Sequence, residues 1–163
     1  MSTVKPEAIG VQLLTISDSR QPEDDRSGKL MRERIDNSGF KLAGHEIIRE
    51  DRGKITTAVT RHLRRTDLRA IISSGGTGLS RRDITLEEIS PLFDRELPGF
   101  GELFRTLSYP QVGARCLLSR ATAGQVDNKI IFLLPGAPAA VELALDELIL
   151  PVLQHMIEVI DQE

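Results

Sequence analysis

The sequence predicts an α/β domain, as its pattern of apolar residues and its composition show. Short apolar runs of strand length alternate along the chain with amphipathic segments of helical period. Of the 163 residues, 40% are hydrophobic and 28% are charged, so the chain can bury a core without a disulfide or a metal. We therefore expect one domain over residues 1–163, with a flexible segment over residues 1–9.

The first half of the chain is expected to hold three strands and two helices. The predicted strands cover 10–17, 42–49 and 69–73, and the helices cover 27–38 and a segment marked by the apolar positions Ile55, Val59 and Leu63. The first helix should end at Gly39, because glycine suits the left-handed conformation that closes many helices.

The second half is less regular, since Pro91 and Pro98 interrupt it. Here the predicted elements are a capping box that begins at Thr85, a short helix over 100–107, strands over 116–123 and 130–134, and a long C-terminal helix over 141–159. Pro151 should kink that last helix or begin a new turn.

Composition excludes several classes of protein. The net charge is −3, which argues against a nucleic-acid binder, and aromatic residues make up 4% without any Trp, which argues against a base-stacking surface. Cys116 is the only cysteine, so neither an intramolecular disulfide nor a thiolate metal cluster can form. No apolar run reaches about 18 residues, and the N-terminus lacks a signal-peptide core. We therefore expect a cytoplasmic protein that binds neither nucleic acid nor membrane.

Three predicted strands end in loops of small or polar residues, at 16–19, 73–78 and 134–138. If these strands are parallel, all three loops lie at one edge of the sheet. Ligands of open α/β sheets bind outside the carboxyl ends of the strands. The sequence therefore predicts one binding crevice, with Ser17, Asp18, Pro135 and Gly136 at its borders.

The loop at 74–78 (SGGTG) is the strongest local signal. Its glycines let an anion approach the backbone, and successive N–H groups can form an anion-binding concavity. A tight turn without a ligand is the alternative. The loop does not end in Gly-Lys-Ser/Thr as a Walker A motif does, and Arg81 stands where the dinucleotide fingerprint needs its last glycine.

Arg82 and Asp83 follow this loop closely. Arginine can bind phosphate through two parallel hydrogen bonds. A carboxylate beside a bound phosphate favours a cation between them, and Mg²⁺ commonly bridges carboxylates and phosphates, so Asp83 is a candidate metal ligand. An exposed Arg–Asp ion pair is the alternative.

Other aspartates also follow predicted strands. Asp51 can face the same crevice or form a turn before Gly53. Asp18, Asp24 and Asp25 can help ligate a cation or cap the following helix.

Six motifs in order, and two more near the start, resemble the molybdenum cofactor biosynthesis protein B family. They are SGGTG at 74–78, RDIT at 82–85, PGFGE at 98–102, FRTLSY at 104–109, SRA at 119–121 and LPG at 134–136, together with TISD at 15–18 and DRSG at 25–28. The resemblance spans about residues 10–155, and the related MogA-type molybdopterin adenylyltransferases share the fold.

This resemblance implies a three-layer α/β/α domain with a mostly parallel central sheet. It also implies transfer of AMP from Mg-ATP to the terminal phosphate of molybdopterin. The residues it implies are Ser74, Gly75, Gly76, Thr77, Gly78 and Arg82 for phosphate, Pro135 and Gly136 for the pterin side, Ser17 and Asp18 for the nucleotide side, and Asp83 with Asp51 as catalytic acids and Mg²⁺ ligands.

Two further expectations complete the prediction. The alternative function is a protein of the same pathway that binds molybdopterin or a pterin intermediate without adenylylating it; a scaffold role and a general nucleotide-binding domain rank below it. The resemblance also implies a homo-oligomer, a trimer or a hexamer. Phe93, Phe100, Phe104 and Tyr109 lie close together in sequence and could serve its interface or pack in the core.

Overall fold

The computed structural model describes residues 4–162 and shows a six-stranded sheet between two layers of helices. The strands are β1 (Gly10–Ile16), β2 (Lys41–Ile48), β3 (Ala70–Ser74), β4 (Arg95–Glu96), β5 (Thr122–Val126) and β6 (Lys129–Leu134). The helices are α1 (Arg26–Ser38), α2 (Lys54–Leu63), α3 (Thr85–Ile89), α4 (Pro98–Val112), α5 (Pro138–Leu143) and α6 (Leu153–Ile160). Shorter turns include 3₁₀ segments at Pro6–Ala8, Ser90–Leu92 and Gly113–Leu118 and a π-helical turn at Ala144–Ile149.

The strand order is β2-β1-β3-β6-β5-β4. The first four strands of this order run parallel, whereas β5 pairs antiparallel with both β6 and β4. The carboxyl ends of β1, β2, β3 and β6 therefore meet at one edge. The predicted α/β/α fold with a mostly parallel sheet is confirmed.

Alternation along the strands divides the core into two layers. Leu13, Ile72 and Phe132 point to the face covered by α1, α4, α5 and α6, while Leu14 and Ile71 point to the face covered by α2 and α3. All five side chains are fully buried. Because both faces are covered, the parallel strands read in the sequence as continuous apolar runs rather than as alternating patterns.

The strand predicted over 116–123 is a correction. The structure places Cys116 in the 3₁₀ segment Gly113–Leu118, and β5 begins only at Thr122. The short antiparallel strand β4 was not predicted. An apolar run of four to eight residues does not by itself distinguish a strand from a helical turn, and here Leu117 and Leu118 are exposed.

Helix boundaries agree with the sequence where a terminal residue dictates them. Gly39 closes α1 with φ of 85°, and the Asp25 carboxylate caps its start by accepting the Gly28 N–H at 2.9 Å. The C-terminal helix is interrupted near Pro151, between the π-helical turn and α6. Thr85 forms no cap: its hydroxyl donates to the Gly75 carbonyl instead, at 2.9 Å.

Two more predictions concern the N-terminal segment and the aromatic residues. Residues 1–3 of the predicted flexible segment lie outside the described range, whereas Ile9 is fully buried and the Val4 carbonyl accepts from Gln154. Phe100 and Phe104 belong to the core, and Tyr109 is 62% exposed. Across residues 4–162, we find no helix with the length and apolar character to cross a membrane.

Candidate functional site

A cleft opens where the carboxyl ends of β1, β3 and β6 meet. Its volume is about 560 Å³, within the range of roughly 300–1,000 Å³ that is typical of ligand sites. It is lined by Ile16, Ser17, Ser19, Arg20, Glu50, Gly75, Gly76, Thr77, Gly78, Asp83, Leu118, Ser119, Pro135, Gly136 and Ala137. The three loops that the sequence predicts to converge therefore do meet.

The loop requires glycine at positions 75 and 76, because a side chain at either would clash with its neighbours. A Cβ at Gly75 would lie 2.2 Å from the Ile16 carbonyl oxygen, and one at Gly76 would lie 2.1 Å from the Thr85 hydroxyl. Both residues also adopt positive φ, 101° and 67°. Thr85 also holds the loop in place, because its own N–H donates to the Gly76 carbonyl at 3.0 Å.

This loop leaves amides free for a ligand. The Gly75 N–H is used by the fold, since it donates to the Leu134 carbonyl at 2.9 Å. Within residues 4–162, the N–H groups of Gly76, Thr77 and Gly78 donate to no protein acceptor. Successive free amides of this kind make a concave site for an anion.

Two carboxylates share the cleft with these amides. The Asp83 carboxylate packs against Gly78, where a Cβ would be 2.8 Å from Oδ2, and the same oxygen accepts the Ser80 N–H at 2.8 Å. Glu50 enters from the loop after β2, with Oε1 3.5 Å from the place of a Gly76 Cβ. The amide cradle and the acids therefore face one space.

The electrostatics of Glu50 show how close these charges are. Burial raises the pKa of the Glu50 carboxyl, and the negative charges of Asp83 and Asp18 raise it further. The Arg82 guanidinium acts in the opposite direction. A carboxyl held among like charges is a favourable place for a cation, which would remove the repulsion.

The second acid of the cleft is Glu50, whereas the sequence pointed to Asp51. The Asp51 side chain is 48% exposed and lies 3.3 Å from Lys54, with which it forms an ion pair on the outer surface. It is not among the residues that line the cleft. The side chains of positions 50 and 51 point in different directions where the chain leaves β2. The sequence alone does not show which of the two faces the cleft.

Three other predicted residues lie beside the cleft rather than in its lining. Arg82 is 72% exposed and pairs with Asp18 at the rim. The other oxygen of Asp18 accepts the Glu50 N–H at 3.1 Å, so Asp18 fixes the backbone position of Glu50. Ser74 is fully buried, and its hydroxyl has no partner within the described residues. Ser17 does line the cleft, and its Oγ accepts the Arg20 N–H at 3.2 Å.

Arg20 is a site residue that the sequence did not reveal. It is the one cationic side chain in the described cleft lining. Its guanidinium donates to the Gly136 carbonyl at 3.0 Å and lies 3.5 Å from the Asp25 carboxylate. The Ser27 hydroxyl donates to the same carbonyl at 2.7 Å, which joins the first and last loops. Nothing in a loop of many polar residues marks this one arginine beforehand.

A buried polar network supports this edge of the sheet. Asp25 is 1% exposed, and its Oδ2 accepts the Thr15 hydroxyl at 2.6 Å. His45 Nε2 lies 2.9 Å from that hydroxyl and 3.4 Å from the same oxygen of Asp25. Burial lowers the pKa of His45, although the Asp25 charge opposes this. Helix α1 is thereby tied to β1 and β2 beneath the cleft.

Arg120 holds the segment that carries Asp83. Its Nε donates to the Gly78 carbonyl at 3.0 Å, and its Nη2 donates to the Asp83 carbonyl at 3.1 Å. The remaining nitrogen pairs with Glu87 of α3. One planar guanidinium therefore spans both ends of the 78–83 turn, a geometry that lysine does not reproduce.

The fold and this cleft define a class of domain. The family model described as a probable molybdopterin binding domain matches residues 12–155. Molybdenum cofactor biosynthesis protein B of Bacillus cereus is 41% identical over 152 residues, which cover 93% of this chain and 90% of that protein. The chain therefore belongs to the molybdenum cofactor biosynthesis protein B family of molybdopterin-binding domains.

Solved structures agree with this membership. A crystal structure of a molybdenum cofactor biosynthesis protein B matches with a TM-score of 0.92 and 39% identity, covering 97% of this chain and 99% of that one. A MogA structure matches with a TM-score of 0.84 and 26% identity over 93% of this chain and 99% of its own. The resemblance inferred from the motifs is confirmed.

Proposed function

We propose that this protein binds molybdopterin in the cleft and adenylylates it with Mg-ATP, releasing pyrophosphate in the cytoplasm. The observation that carries the proposal is the juxtaposition of three free amides, at Gly76, Thr77 and Gly78, with the carboxylates of Glu50 and Asp83 in one cleft. Membership in a molybdopterin-binding family supplies the pterin substrate.

The donor set fits Mg²⁺ bound together with phosphates. Among residues 4–162 there is no group of three or more His, Cys, Asp or Glu side chains placed to hold a metal by themselves. Mg²⁺ commonly takes only one or two carboxylates and completes its shell with water and substrate phosphates. Glu50 and Asp83 would supply those two carboxylates. Bound there, Mg²⁺ would neutralise the triphosphate and stabilise the departing pyrophosphate.

The reaction joins two anions, so its main obstacle is charge repulsion. An oxygen of the molybdopterin phosphate attacks the α-phosphorus of ATP, a new P–O bond forms, and the bond to the bridging oxygen of pyrophosphate breaks. The free loop amides hold a phosphate in line, and the Arg20 guanidinium adds positive charge. Such positioning and neutralisation account for most of the catalysis in phosphate-transfer reactions. Pro135 and Gly136 border the pterin side.

Purified protein incubated with molybdopterin and Mg-ATP tests this proposal. We expect pyrophosphate release, and we expect it to fall by at least about 100-fold in D83N, because the amide would no longer hold the Mg²⁺ that neutralises the reacting phosphates, and loss of one such stabilising contact costs several kcal/mol. Molybdopterin binding without any pyrophosphate from the wild type would contradict adenylylation and leave the binding-only alternative.

A matched pair of variants identifies the second acid. We expect E50Q to lose activity as D83N does and D51N to keep it. The reason is that Glu50 lines the cleft whereas Asp51 pairs with Lys54 outside it. The opposite result would return the role to Asp51.

We also propose that the protein forms a homo-oligomer, a trimer or a hexamer. An exposed apolar band supports this: it consists of Leu103, Leu107, Tyr109, Val112, Leu117 and Leu118 along α4 and the segment after it. Large apolar side chains that are exposed together in one part of a chain are typical of interaction sites in soluble proteins.

A further inference from the structure

A second concave surface lies on the outer edge of the sheet, between β2 and α2. We call it the β2–α2 groove. Its walls are the consecutive residues 46–49 and one face of α2, and its volume is about 560 Å³. It shares no lining residue with the cleft described above. The proposed reaction therefore does not account for it.

The strand wall of the groove is an open edge. In the described sheet, β2 is the outermost strand and pairs with β1 alone. The Ile48 carbonyl accepts the Ser17 N–H at 2.9 Å, so it points into the sheet. Because alternate residues of a strand direct their main-chain groups to opposite sides, those of Ile47 and His45 point outward. An unpaired edge of this kind is a template for another extended chain.

The lining pattern shows that the edge itself, rather than one face of the strand, forms the wall. Successive side chains of a strand alternate between its faces, so a groove over one face would be lined by every second residue. Here four residues in succession, 46–49, line the groove. An occupant therefore lies alongside the β2 backbone, with α2 over its flank.

The groove is locally cationic although the whole chain carries a net charge of −3. Four cations line it, Arg49, Arg52, Lys54 and Arg61, against the single carboxylate of Glu46. The side chains of Lys54 and Arg61 are 59% and 57% exposed in their ion pairs. Exposed pairs of this kind contribute little, so these cations are available to a new partner.

We propose that the β2–α2 groove binds an acidic, extended segment of another protein, which adds to β2 as a further strand and directs carboxylates to the cations of α2. Strand addition supplies affinity through main-chain hydrogen bonds and specificity through alternate side chains. A second copy of this chain fits poorly, because two such edges would bring like charges together. Nucleic acid fits poorly too, since no aromatic side chain of the described lining offers a stacking surface.

Titration of the isotope-labelled full chain with a defined peptide tests this inference. The probe is a capped ten-residue peptide of alternating Glu and Val, and its control is the same peptide with Lys in place of Glu. We expect the amide signals of His45 and Ile47 to shift with the acidic peptide only. The double variant K54E/R61E should weaken binding by about tenfold or more, as charge reversal at an interface does. The matched variant R64E/R115E, which reverses two exposed arginines outside the groove, should leave it unchanged.

A second pair of variants tests the backbone. I47P removes an outward N–H and should spare the ladder with β1, because edge strands accept proline where the N–H faces solvent. We expect I47P to lose peptide binding and I47A to retain it; if I47P does not fold, the charge-reversal pair still decides. No molybdopterin or ATP enters the assay, so its outcome is independent of the proposed reaction.

Several results would overturn the inference. They are equal binding of both peptides, shifts that map away from residues 45–49, and binding that survives K54E/R61E. A fall in the mass of the peptide-free assembly on introducing K54E/R61E would assign the groove to a second copy instead. Tighter binding of a single-stranded oligonucleotide than of the acidic peptide would assign it to nucleic acid.

Discussion

The parallel part of the sheet and the antiparallel flank, which we define as residues 95–126, are built in opposite ways. At the carboxyl ends of the parallel strands lies a buried hydrogen-bonded network of Thr15, Asp25 and His45. The flank instead carries six of the nine large apolar side chains that are exposed in the described chain. Its helix α4 packs Phe100 and Phe104 inward and leaves Leu103 and Leu107 outside.

This contrast separates two tasks. The parallel part holds a fixed arrangement of amides and charges, which a phosphate site requires because misplacement costs rate. The flank presents apolar surface, which association with another copy requires. The two regions meet at Leu118 and Ser119, which belong to or follow the flank's 3₁₀ segment and also line the cleft. Association through the flank would therefore border the site.

The largest difference between the regions should appear when a methyl group is added to a glycine. G75A places its Cβ against the Ile16 carbonyl, 2.2 Å away, at a φ of 101°. Such strain costs about 1–3 kcal/mol, and displacement of the loop should lower pyrophosphate release by about 100-fold or more. G99A in α4 is the matched control, since nothing lies within 4 Å of its Cβ. Equal activity and melting temperature for the two variants would refute the tight packing of the loop.

A smaller loss should follow when the support of the loop is removed. R120A leaves the carbonyls of Gly78 and Asp83 without their donor, and we expect kcat for pyrophosphate release to fall by about 10–100-fold, as for residues that orient a ligand-binding group. R120K should restore little, because lysine lacks the planar fork. E87Q is the control: it weakens the ion pair but keeps both carbonyl contacts, so kcat should stay near that of the wild type. A uniform rise in KM with unchanged kcat would contradict this role.

The same contrast explains which parts of the fold were predictable. The parallel strands were found because both faces are covered and the residues read as apolar runs, and α1 because Gly39 fixes its end. The strand predicted over 116–123 is wrong over 116–121, since an apolar segment such as GARCLL has no period that separates a 3₁₀ turn from a strand. Its exposed leucines serve a surface, which a pattern of buried residues does not describe.

Predictability of the candidate site follows from the chemistry of each residue. Gly75 and Gly76 were identifiable because no other residue fits their backbone, and Asp83 because it follows them at short range. Glu50 and Arg20 were not, because their roles depend on which way a side chain turns and on partners far away in sequence. Arg20 meets Gly136 across 116 positions, a contact that only the assembled sheet creates.

Introducing charged residues on the exposed surface of the flank should disrupt association between chains. L103E/L107E introduces carboxylates into the exposed band of α4, and we expect the assembly to dissociate towards the 18.0 kDa of one chain while the melting curve stays cooperative. Light scattering measures the mass. V159E is the matched control, because Val159 is 49% exposed on α6, outside the band. A wild-type mass near that of one chain would contradict the proposed oligomer.

The smallest effect we predict is a pH dependence of stability that belongs to the parallel part. Burial lowers the pKa of His45 in the folded chain, with Arg32 acting in the same direction and Asp25 against it. The unfolded chain therefore binds a proton first, at the ordinary histidine pKa, and the free energy of unfolding falls as the pH drops from there towards the folded-state pKa. We expect this loss to be confined to the pH interval between the two pKa values, because outside it both states bind the same number of protons. Denaturant unfolding curves recorded between neutral and mildly acidic pH measure this slope.

The variant H45Q should remove this pH dependence, whereas H155Q should not, because His155 is 76% exposed on α6. An unchanged slope in H45Q would show that other groups carry the acid sensitivity and that the network under the cleft is not its source.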